Sequence, residues 1–223
     1  MSTTANLGEV MDILFVRHGE SEGNALGKLQ GRQDFPLSAI GREQAARLGS
    51  WLLGIGFRWD AAYASPLRRA WETAEIVTRT AGGRGAEAEP ALAEVAAGHI
   101  EGLTREEIVG RHPSYSERRV TDLGDFSEFG GESYDSLQLR AASLRNRLEA
   151  LHREPMSRVL LVGHGGFNFQ LVKHLVCEPV PRVCILKMGN CTASLVRMRE
   201  RRGSYMGELV WHVPVELMGG MPC

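Results

Sequence analysis

The chain has 223 residues, of which 43% are hydrophobic and 24% are charged. Both fractions are close to the averages for globular proteins, which excludes a disordered, collagen-like or disulfide-scaffold chain. Lys and Arg number 26 against 27 Asp and Glu, so the formal net charge is -1. This balance excludes a broad surface for polyanions and leaves anion binding to local clusters of charge.

The cysteines, the N-terminus and the hydropathy pattern favour a cytoplasmic protein. The four cysteines form no C-x-x-C pair, and their spacing predicts neither a zinc site nor a disulfide framework. The first residues lack the basic start and apolar run of a signal peptide, and no apolar stretch approaches the ~20 residues that span a bilayer. We therefore expect no metal, no cofactor, and neither a nucleic acid nor a membrane as partner.

The first elements in chain order are a strand and a helix. The apolar, β-branched run Met11–Val16 stops at charge and glycine, which predicts a buried parallel strand. Ser38 then precedes an amphipathic pattern over 40–53. This spacing predicts a long helix with Ser38 as its N-cap.

A second strand and helix follow, and then a less regular region. Trp59–Ala64 predicts a short strand, and Ser65 before a proline predicts the cap of a helix that runs to Thr80. The pattern from Pro90 to about 131 is broken, with one capped helix predicted at Thr104–Arg111. We interpret this region as a small lid inserted into the domain.

The last part of the chain returns to regular alternation. A long helix is predicted at Ser133–Arg153, a strand at Arg158–Gly163 and a helix at Phe167–Val176. Further strands are predicted at Ala193–Met198 and Leu209–Val215.

Together these elements predict an α/β fold, a three-layer sandwich whose mostly parallel central sheet carries helices on both faces. We assign one domain to residues 11–215, with a lid at about 90–131. Residues 1–10 and 216–223 are interpreted as flexible or packing tails.

Histidines and arginines follow three of the predicted strands. Arg17 and His18 come after the first strand, Arg69 opens the helix after the second, and His164 and Gly165 follow the strand that ends at residue 163. Ligands of open α/β sheets bind at the carboxyl ends of the strands. Guanidinium forks and helix N-termini suit phosphate or carboxylate. Phosphate is favoured because an imidazole can attack phosphorus while arginines stabilise the charge on its oxygens.

The residues at these strand ends also form three ordered motifs. They are Arg17-His18-Gly19-Glu20, Ser65-x-Leu67-x-Arg69-Ala70 and Gly163-His164-Gly165. In this order the chain resembles the histidine phosphatase superfamily, which has the phosphoglycerate mutase-like fold. The resemblance covers Asp12 to about Met198.

This resemblance implies a role for each matching residue. His18 is the expected nucleophile, which becomes phosphorylated, and His164 is the second histidine, which contacts the phosphoryl oxygens. Arg17 and Arg69 are the expected phosphate clamps. Asn24 matches an asparagine that contacts phosphate, and the glycine after His164 is also expected to bind phosphate.

A general acid is needed because a leaving alkoxide requires a proton. The resemblance implies a glutamate in a Leu-x-Glu stretch with a glycine four residues on, which matches Leu92–Gly98 and selects Glu94. Glu101 is held in reserve. Ala96 and Ala97 stand where the family often has a bulky residue, which leaves the shape of the substrate pocket open.

These observations predict a metal-independent phosphatase that hydrolyses a small-molecule phosphate monoester through a phosphohistidine. A cofactor-dependent phosphoglycerate mutase and an inactive phosphate-binding module are the alternatives. The mutase ranks lower because Glu94–Arg119 lacks the aromatic and basic residues expected to hold a bisphosphate. We expect substrate specificity to lie in Glu94–Gly131. The apolar tail Val210–Cys223 could pack on a neighbouring chain, so a homodimer is possible.

Overall fold

A computed structural model describes residues 10–119, 122, 124–152, 157–182, 186–201 and 204–218. Within these ranges six strands form one sheet. The strands are β1 (Val10–Arg17), β2 (Ala61–Ala64), β3 (Glu87–Ala88), β4 (Arg158–Gly163), β5 (Ala193–Arg201) and β6 (Ser204–Val213).

Helices connect the strands, and short 3-10 turns fill much of the region after β3. The helices are α1 (Glu22–Ala25), α2 (Ala39–Gly54), α3 (Arg68–Ala81), α4 (Arg105–Arg111), α5 (Tyr134–Leu151) and α6 (Gly165–Val176). The 3-10 turns span Pro90–Leu92, Gly98–Ile100, Pro113–Glu117, Ser127–Phe129 and Val215–Met218.

The sheet has the strand order β3-β2-β4-β1-β5-β6. Its first four strands run parallel, whereas β5 is antiparallel to both β1 and β6. Successive side chains of β1 point to opposite faces: Leu14 packs in the cluster formed with α2 and α3, and Phe15 packs in the cluster formed with α5 and α6. The predicted three-layer α/β fold is confirmed.

Most helix caps lie where the sequence places them. The side chains of Ser38, Thr104 and Ser133 accept a backbone hydrogen bond at the start of α2, α4 and α5. The prediction for Ser65 is wrong, because α3 begins after Leu67, whose side chain makes no capping hydrogen bond. The Ser65 hydroxyl instead lies 2.8 Å from Nε2 of His164.

Two strand predictions also need correction. The two-residue strand β3 was not predicted, because so short an element leaves no alternating pattern to detect. The last strand was predicted at Leu209–Val215 but spans Ser204–Val213, so it begins five residues earlier and ends two residues earlier. Pro214 follows, and its missing N–H cannot continue the ladder.

The predicted domain boundaries, at residues 11 and 215, stay a prediction. Val10 already belongs to β1, and Met218 is buried in the core of its own chain.

The tail residue Trp211 packs edge-on against Trp51, with 5.6 Å between ring centroids. Packing within the chain therefore leaves less apolar tail surface for the predicted homodimer interface. Leu217 is exposed. Residues 1–9 and 219–223 of the predicted tails lie outside the described residues.

The region 90–131 packs as the irregular segment that was predicted. Its described part contains α4 and four of the 3-10 turns. A small apolar cluster of Ala97, Ile100, Ile108 and Phe129 holds it together. Residues 120, 121 and 123 of this segment are not described. In the part of the chain that is described, none of the helices combines the length and hydropathy needed to cross a membrane.

Candidate active site

The two histidines lie side by side because their strands are neighbours. In the parallel pair β1 and β4, Arg17 lies opposite Gly163, so the next residues, His18 and His164, emerge at the same edge of the sheet. The backbone N–H of His18 donates to the Gly163 carbonyl oxygen over 2.9 Å. The imidazole centroids are 5.1 Å apart, with the rings inclined at 62°.

The contacts of His18 determine which of its ring nitrogens carries the proton and which holds the lone pair. Nδ1 lies 2.7 Å from the Gly19 carbonyl oxygen, and because a carbonyl only accepts, Nδ1 carries the proton. Nε2 therefore holds the lone pair and accepts a hydrogen bond from Nε of Arg69 over 3.2 Å. Burial lowers the pKa of His18 well below its usual value, and the charges of Arg17 and Arg69 lower it further.

His164 is completely buried behind the cavity rather than in its wall. Its Nε2 lies 2.8 Å from the Ser65 hydroxyl, whereas its Nδ1 is buried with no hydrogen-bond partner among the described residues. Burial lowers the pKa of His164 well below its usual value, and the neighbouring His18 and Arg69 act in the same direction. Ser65, interpreted from the sequence as a helix cap, thus orients the second histidine.

The arginine expected at the start of α3 is the one that enters the site. Arg69 is only 1% exposed, whereas its neighbour Arg68 is exposed. Besides the His18 contact, the Arg69 guanidinium donates to the carbonyl oxygens of Gly31 and Gln33, each over 2.8 Å. These contacts hold the guanidinium in one orientation beside His18. Burial lowers the pKa of Arg69, and Glu94 partly opposes this effect.

Arg17 has an unsatisfied donor at the site. Its Nη1 donates to the Met188 carbonyl oxygen over 2.7 Å, while its Nε is buried with no partner among the described residues. Burial lowers the pKa of Arg17, and the Glu94 carboxylate raises it. A buried guanidinium N–H without an acceptor suits an anion that enters the cavity.

The carboxylate of Glu94 lies at the start of α6. Its Oε1 accepts from the backbone N–H groups of Val95 and Phe167, each over 2.9 Å, and its Oε2 accepts from Gly166 over 3.1 Å. The helix N-terminus that was expected to face phosphate therefore holds this carboxylate. Gly165 does not line the cavity, and Gly166 does.

The reserve acid does not reach the cavity. One Glu101 oxygen, Oε1, accepts from the backbone N–H groups of Arg32 over 3.0 Å and Ala97 over 2.8 Å. These bonds join two loops, and Glu101 is absent from the cavity wall. Of the two candidate acids, Glu94 is the one that lines the cavity together with His18.

Asn24 lines the cavity and presents its amide nitrogen. The Asn24 side-chain oxygen accepts from the Ser21 hydroxyl over 3.0 Å and from Nδ2 of Asn190 over 3.1 Å. Because the oxygen is engaged, the NH₂ group is the part of Asn24 that suits a phosphate oxygen.

The cavity that unites these groups has a volume of ≈ 370 Å³. This volume lies in the range of small-molecule sites. Its wall includes several residues that lie in none of the sequence motifs, namely Lys28, Leu29, Phe169 and Gln170. Gln30 and Gly31, from the loop after α1, also line the cavity. The expectation that specificity lies only in 94–131 therefore omits the loop after α1 and one turn of α6.

A buried ion pair holds the segment that carries Glu94. Arg140 on α5 bridges Glu132 through two contacts, of 2.9 Å to Oε1 and 2.7 Å to Oε2. The same guanidinium donates to the carbonyl oxygens of Ala91 over 2.9 Å and Ala93 over 2.7 Å. It also covers the ring of Phe167, whose N–H binds the Glu94 carboxylate, at 4.0 Å from the ring centroid.

Among the described residues, no group of three or more His, Cys, Asp or Glu side chains is arranged to hold a metal ion.

Comparison with known proteins agrees with this geometry. The family model for the histidine phosphatase superfamily (branch 1) matches residues 13–207. The chain belongs to the histidine phosphatase superfamily. Members of this superfamily hydrolyse phosphate esters, and the chain is an enzyme of this type.

Relatives within the histidine phosphatase superfamily include both phosphatases and mutases. The chain is 29% identical to a metal-independent phosphoserine phosphatase of Arabidopsis thaliana, over 87% of this chain and 79% of the relative. It is 30% identical to a probable phosphoglycerate mutase, GpmB, of Salmonella paratyphi A, over 90% of this chain and 91% of the relative.

A solved structure of the superfamily has the same fold. The mycobacterial glucosyl-3-phosphoglycerate phosphatase in complex with VO3 superposes with a TM-score of 0.76 at 28% identity. The match covers 90% of this chain and 98% of that protein.

Proposed function

We propose that the protein is a metal-independent phosphatase that hydrolyses a small-molecule phosphate monoester through a phosphohistidine on His18. The observation that carries the proposal is the state of Nε2 of this histidine, which holds a lone pair beside the Arg69 guanidinium. The cavity in front of it is lined by Arg17, Asn24 and Glu94. Two cations for the phosphoryl oxygens, a nucleophile and an acid thus meet in one place.

The first half of the reaction transfers the phosphoryl group to the enzyme. Nε2 of His18 attacks phosphorus in line and forms the N–P bond. The bond between phosphorus and the ester oxygen breaks, and its electron pair goes to that oxygen. Glu94, protonated at this stage, gives its proton to the oxygen, and the free alcohol leaves.

The second half returns the enzyme to its starting state. The Glu94 carboxylate takes a proton from a water molecule, whose oxygen attacks phosphorus. The N–P bond breaks, its electron pair returns to Nε2 of His18, and inorganic phosphate leaves. Arg17 and Arg69 stabilise the negative charge on the phosphoryl oxygens in both halves.

A phosphoglycerate mutase is the second candidate, because a relative at 30% identity is named a probable phosphoglycerate mutase. The part of the wall that comes from the segment 94–119 favours hydrolysis, although Lys28, from the loop after α1, also lines the cavity. The cavity-lining residues of the segment 94–119 are Glu94, Val95 and Ala97, which supply no positive charge for the second phosphate of a bisphosphate. Detection of 3- to 2-phosphoglycerate conversion that a bisphosphate stimulates would favour the mutase.

The test is to trap the intermediate. We expect a ³²P-labelled monoester to leave acid-labile, base-stable label on the wild-type protein, located at His18 by peptide mapping. His18→Ala should lose the label and roughly 10⁴-fold or more of the hydrolysis of p-nitrophenyl phosphate. Full hydrolysis by His18→Ala would show that the mechanism is wrong, and absent hydrolysis by the wild type would favour the inactive binding module. Phosphoserine and glucosyl-3-phosphoglycerate, named for the relatives, belong in the substrate panel.

A further inference from the structure

The wall of the cavity is made of two chemically different groups of side chains. One group, which we call the charged end, consists of Arg17, Arg69, Glu94 and the neutral His18. The other group, which we call the apolar end, consists of carbon-rich side chains, namely Leu29, Val95, Ala97, Phe126 and Phe169. Three of these, Leu29, Ala97 and Phe126, pack in one apolar cluster.

The apolar end is built by separate parts of the chain. Leu29 comes from the loop after α1, Val95 and Ala97 from the segment that carries the acid, Phe126 from the end of the lid, and Phe169 from α6. Val95 and Ala97 are buried in the wall, whereas the two aromatic rings are only half-buried. Half-buried aromatic rings on a cavity wall have apolar surface that a bound ring or chain would remove from water.

The small side chain of Ala97 leaves room at this end. The sequence comparison with the family pattern leads one to expect a bulky residue at this position or the one before it. Ala97 is 1% exposed, lines the cavity and packs against Ile100, Ile108 and Phe129. A larger side chain there would take space from this cluster or from the cavity.

The polar groups at this end are few. Gln170 lines the cavity, and because its Oε1 accepts from Nε2 of Gln138 over 3.1 Å, its NH₂ group is the part that suits a substrate oxygen. Lys28 is half-buried, with Nζ 5.8 Å from the ring centroid of Phe35. An alcohol with several hydroxyl groups would bury most of them against carbon without partners, which weakens its binding.

We propose that the substrate of this enzyme is the phosphate monoester of an alcohol with an apolar body, such as an aromatic ring or a branched chain, held at the apolar end. The inference rests on the proposed function, because it assigns the charged end to the phosphoryl group. Phe126 and Phe169 are then specificity-determining residues, and the polar Lys28 and Gln170 accommodate at most a limited polar substituent.

The test compares two esters whose alcohols are both primary, so that their oxygens are of similar basicity. We expect kcat/KM for 2-phenylethyl phosphate to exceed kcat/KM for glycerol 1-phosphate by roughly tenfold or more. Phe169→Ala and Phe126→Ala should each reduce this ratio, mainly by raising KM for the phenylethyl ester. The two variants lie on different elements, so either one tests the inference if the other does not fold.

A matched control and the trapping experiment separate the possible outcomes. Tyr205→Ala removes a half-buried ring on β6, outside the cavity wall, and should keep the ratio of the two esters. If wild type hydrolyses both esters equally, or if neither Phe→Ala variant changes the ratio, the inference is wrong. Label on His18 with a flat ratio would leave the proposed function standing. Loss of the His18 label with activity intact would instead overturn the proposed function.

Discussion

Two contacts determine the protonation and orientation of His18, the proposed nucleophile. The Gly19 carbonyl keeps the proton on Nδ1, and the Arg69 guanidinium lies against the lone pair of Nε2. A cation at this position disfavours protonation of Nε2 and is already in place for the phosphoryl oxygens. Arg69 is held for this task by the carbonyl oxygens of Gly31 and Gln33.

The neighbours Arg68 and Arg69 provide a sharp test at the scale of single residues. Arg69→Ala should lower kcat/KM for p-nitrophenyl phosphate by about 100- to 1,000-fold, the usual effect of losing a donor that stabilises transition-state charge. Arg68→Ala should change kcat/KM little, because the Arg68 side chain is exposed, and its backbone N–H, which donates to Asp34, is kept in the variant.

Arg69→Lys completes this series. A lysine keeps the charge but cannot reproduce the three contacts of the guanidinium, so we expect only partial recovery. Thermal unfolding of each variant is the control for folding. Equal losses in the Arg68 and Arg69 variants would contradict the assignment.

At the scale of elements, α5 and the start of α6 together hold Glu94, the proposed acid. The ion pair of Arg140 and Glu132 is largely buried, with 7% of the Glu132 side chain exposed. Arg140 binds the backbone before Glu94 and packs on Phe167, whose N–H binds the Glu94 carboxylate. Arg140 is therefore a positioning residue for Glu94.

Loss of this positioning should depend on the leaving group. In Arg140→Lys, kcat/KM for an alkyl phosphate should fall by up to about 100-fold, as expected for an acid displaced by about 1 Å. For p-nitrophenyl phosphate the change should be small, because p-nitrophenolate leaves without a proton. Glu94→Gln should show the same dependence on the leaving group.

The control variant lies on the same helix. Arg147, 59% exposed on the side chain, bridges Glu89 away from the active-site cavity. Arg147→Lys should leave kcat/KM for both esters unchanged. If Arg140→Lys lowered kcat/KM for both esters equally, its role would be general stability and not the positioning of Glu94.

At the scale of the whole molecule, the two buried histidines of the site lower the free energy of unfolding at acid pH. Burial holds the pKa of both His18 and His164 well below the ordinary value of 6.5, so both are neutral when folded. Below pH 6.5 the unfolded chain binds protons at these two positions that the folded chain does not. As far as these two histidines determine it, the free energy of unfolding is therefore highest above pH 6.5 and decreases as the pH falls below that value.

This linkage predicts a measurable slope. Below pH 6.5 each histidine should lower the free energy of unfolding by about 1.4 kcal/mol per pH unit, until its folded pKa is reached. His18→Asn should remove one such contribution, so its slope between pH 6.5 and 5 should be shallower than that of the wild type. Urea denaturation across this range is the measurement. Identical slopes would show that His18 does not titrate with a lowered pKa.

Much of the fold can be predicted from the sequence because the signals are local. The apolar run that became β1, the caps Ser38 and Ser133, and the strand Arg158–Gly163 each depend on residues within one or two turns. The short strand β3 was missed because two residues contain no period. The end of the last strand was misplaced by two residues.

By itself the sequence determined the fold class and the set of residues at the strand ends, His18, His164, Arg17 and Arg69, because parallel strands bring their carboxyl ends to one edge. The tertiary structure brings one of the two candidate acids, Glu94, to the cavity wall and not the other. The backbone donors at the start of α6 receive Glu94, 72 residues away from Gly166 in sequence, while Glu101 is used to join two loops.

The hydrogen-bond partner of Ser65 also depends on tertiary structure, because His164 lies 99 residues away in sequence. The same holds for the apolar end of the cavity, whose side chains come from separate segments. Such contacts depend on how layers pack. No pattern within a few residues of the chain encodes them.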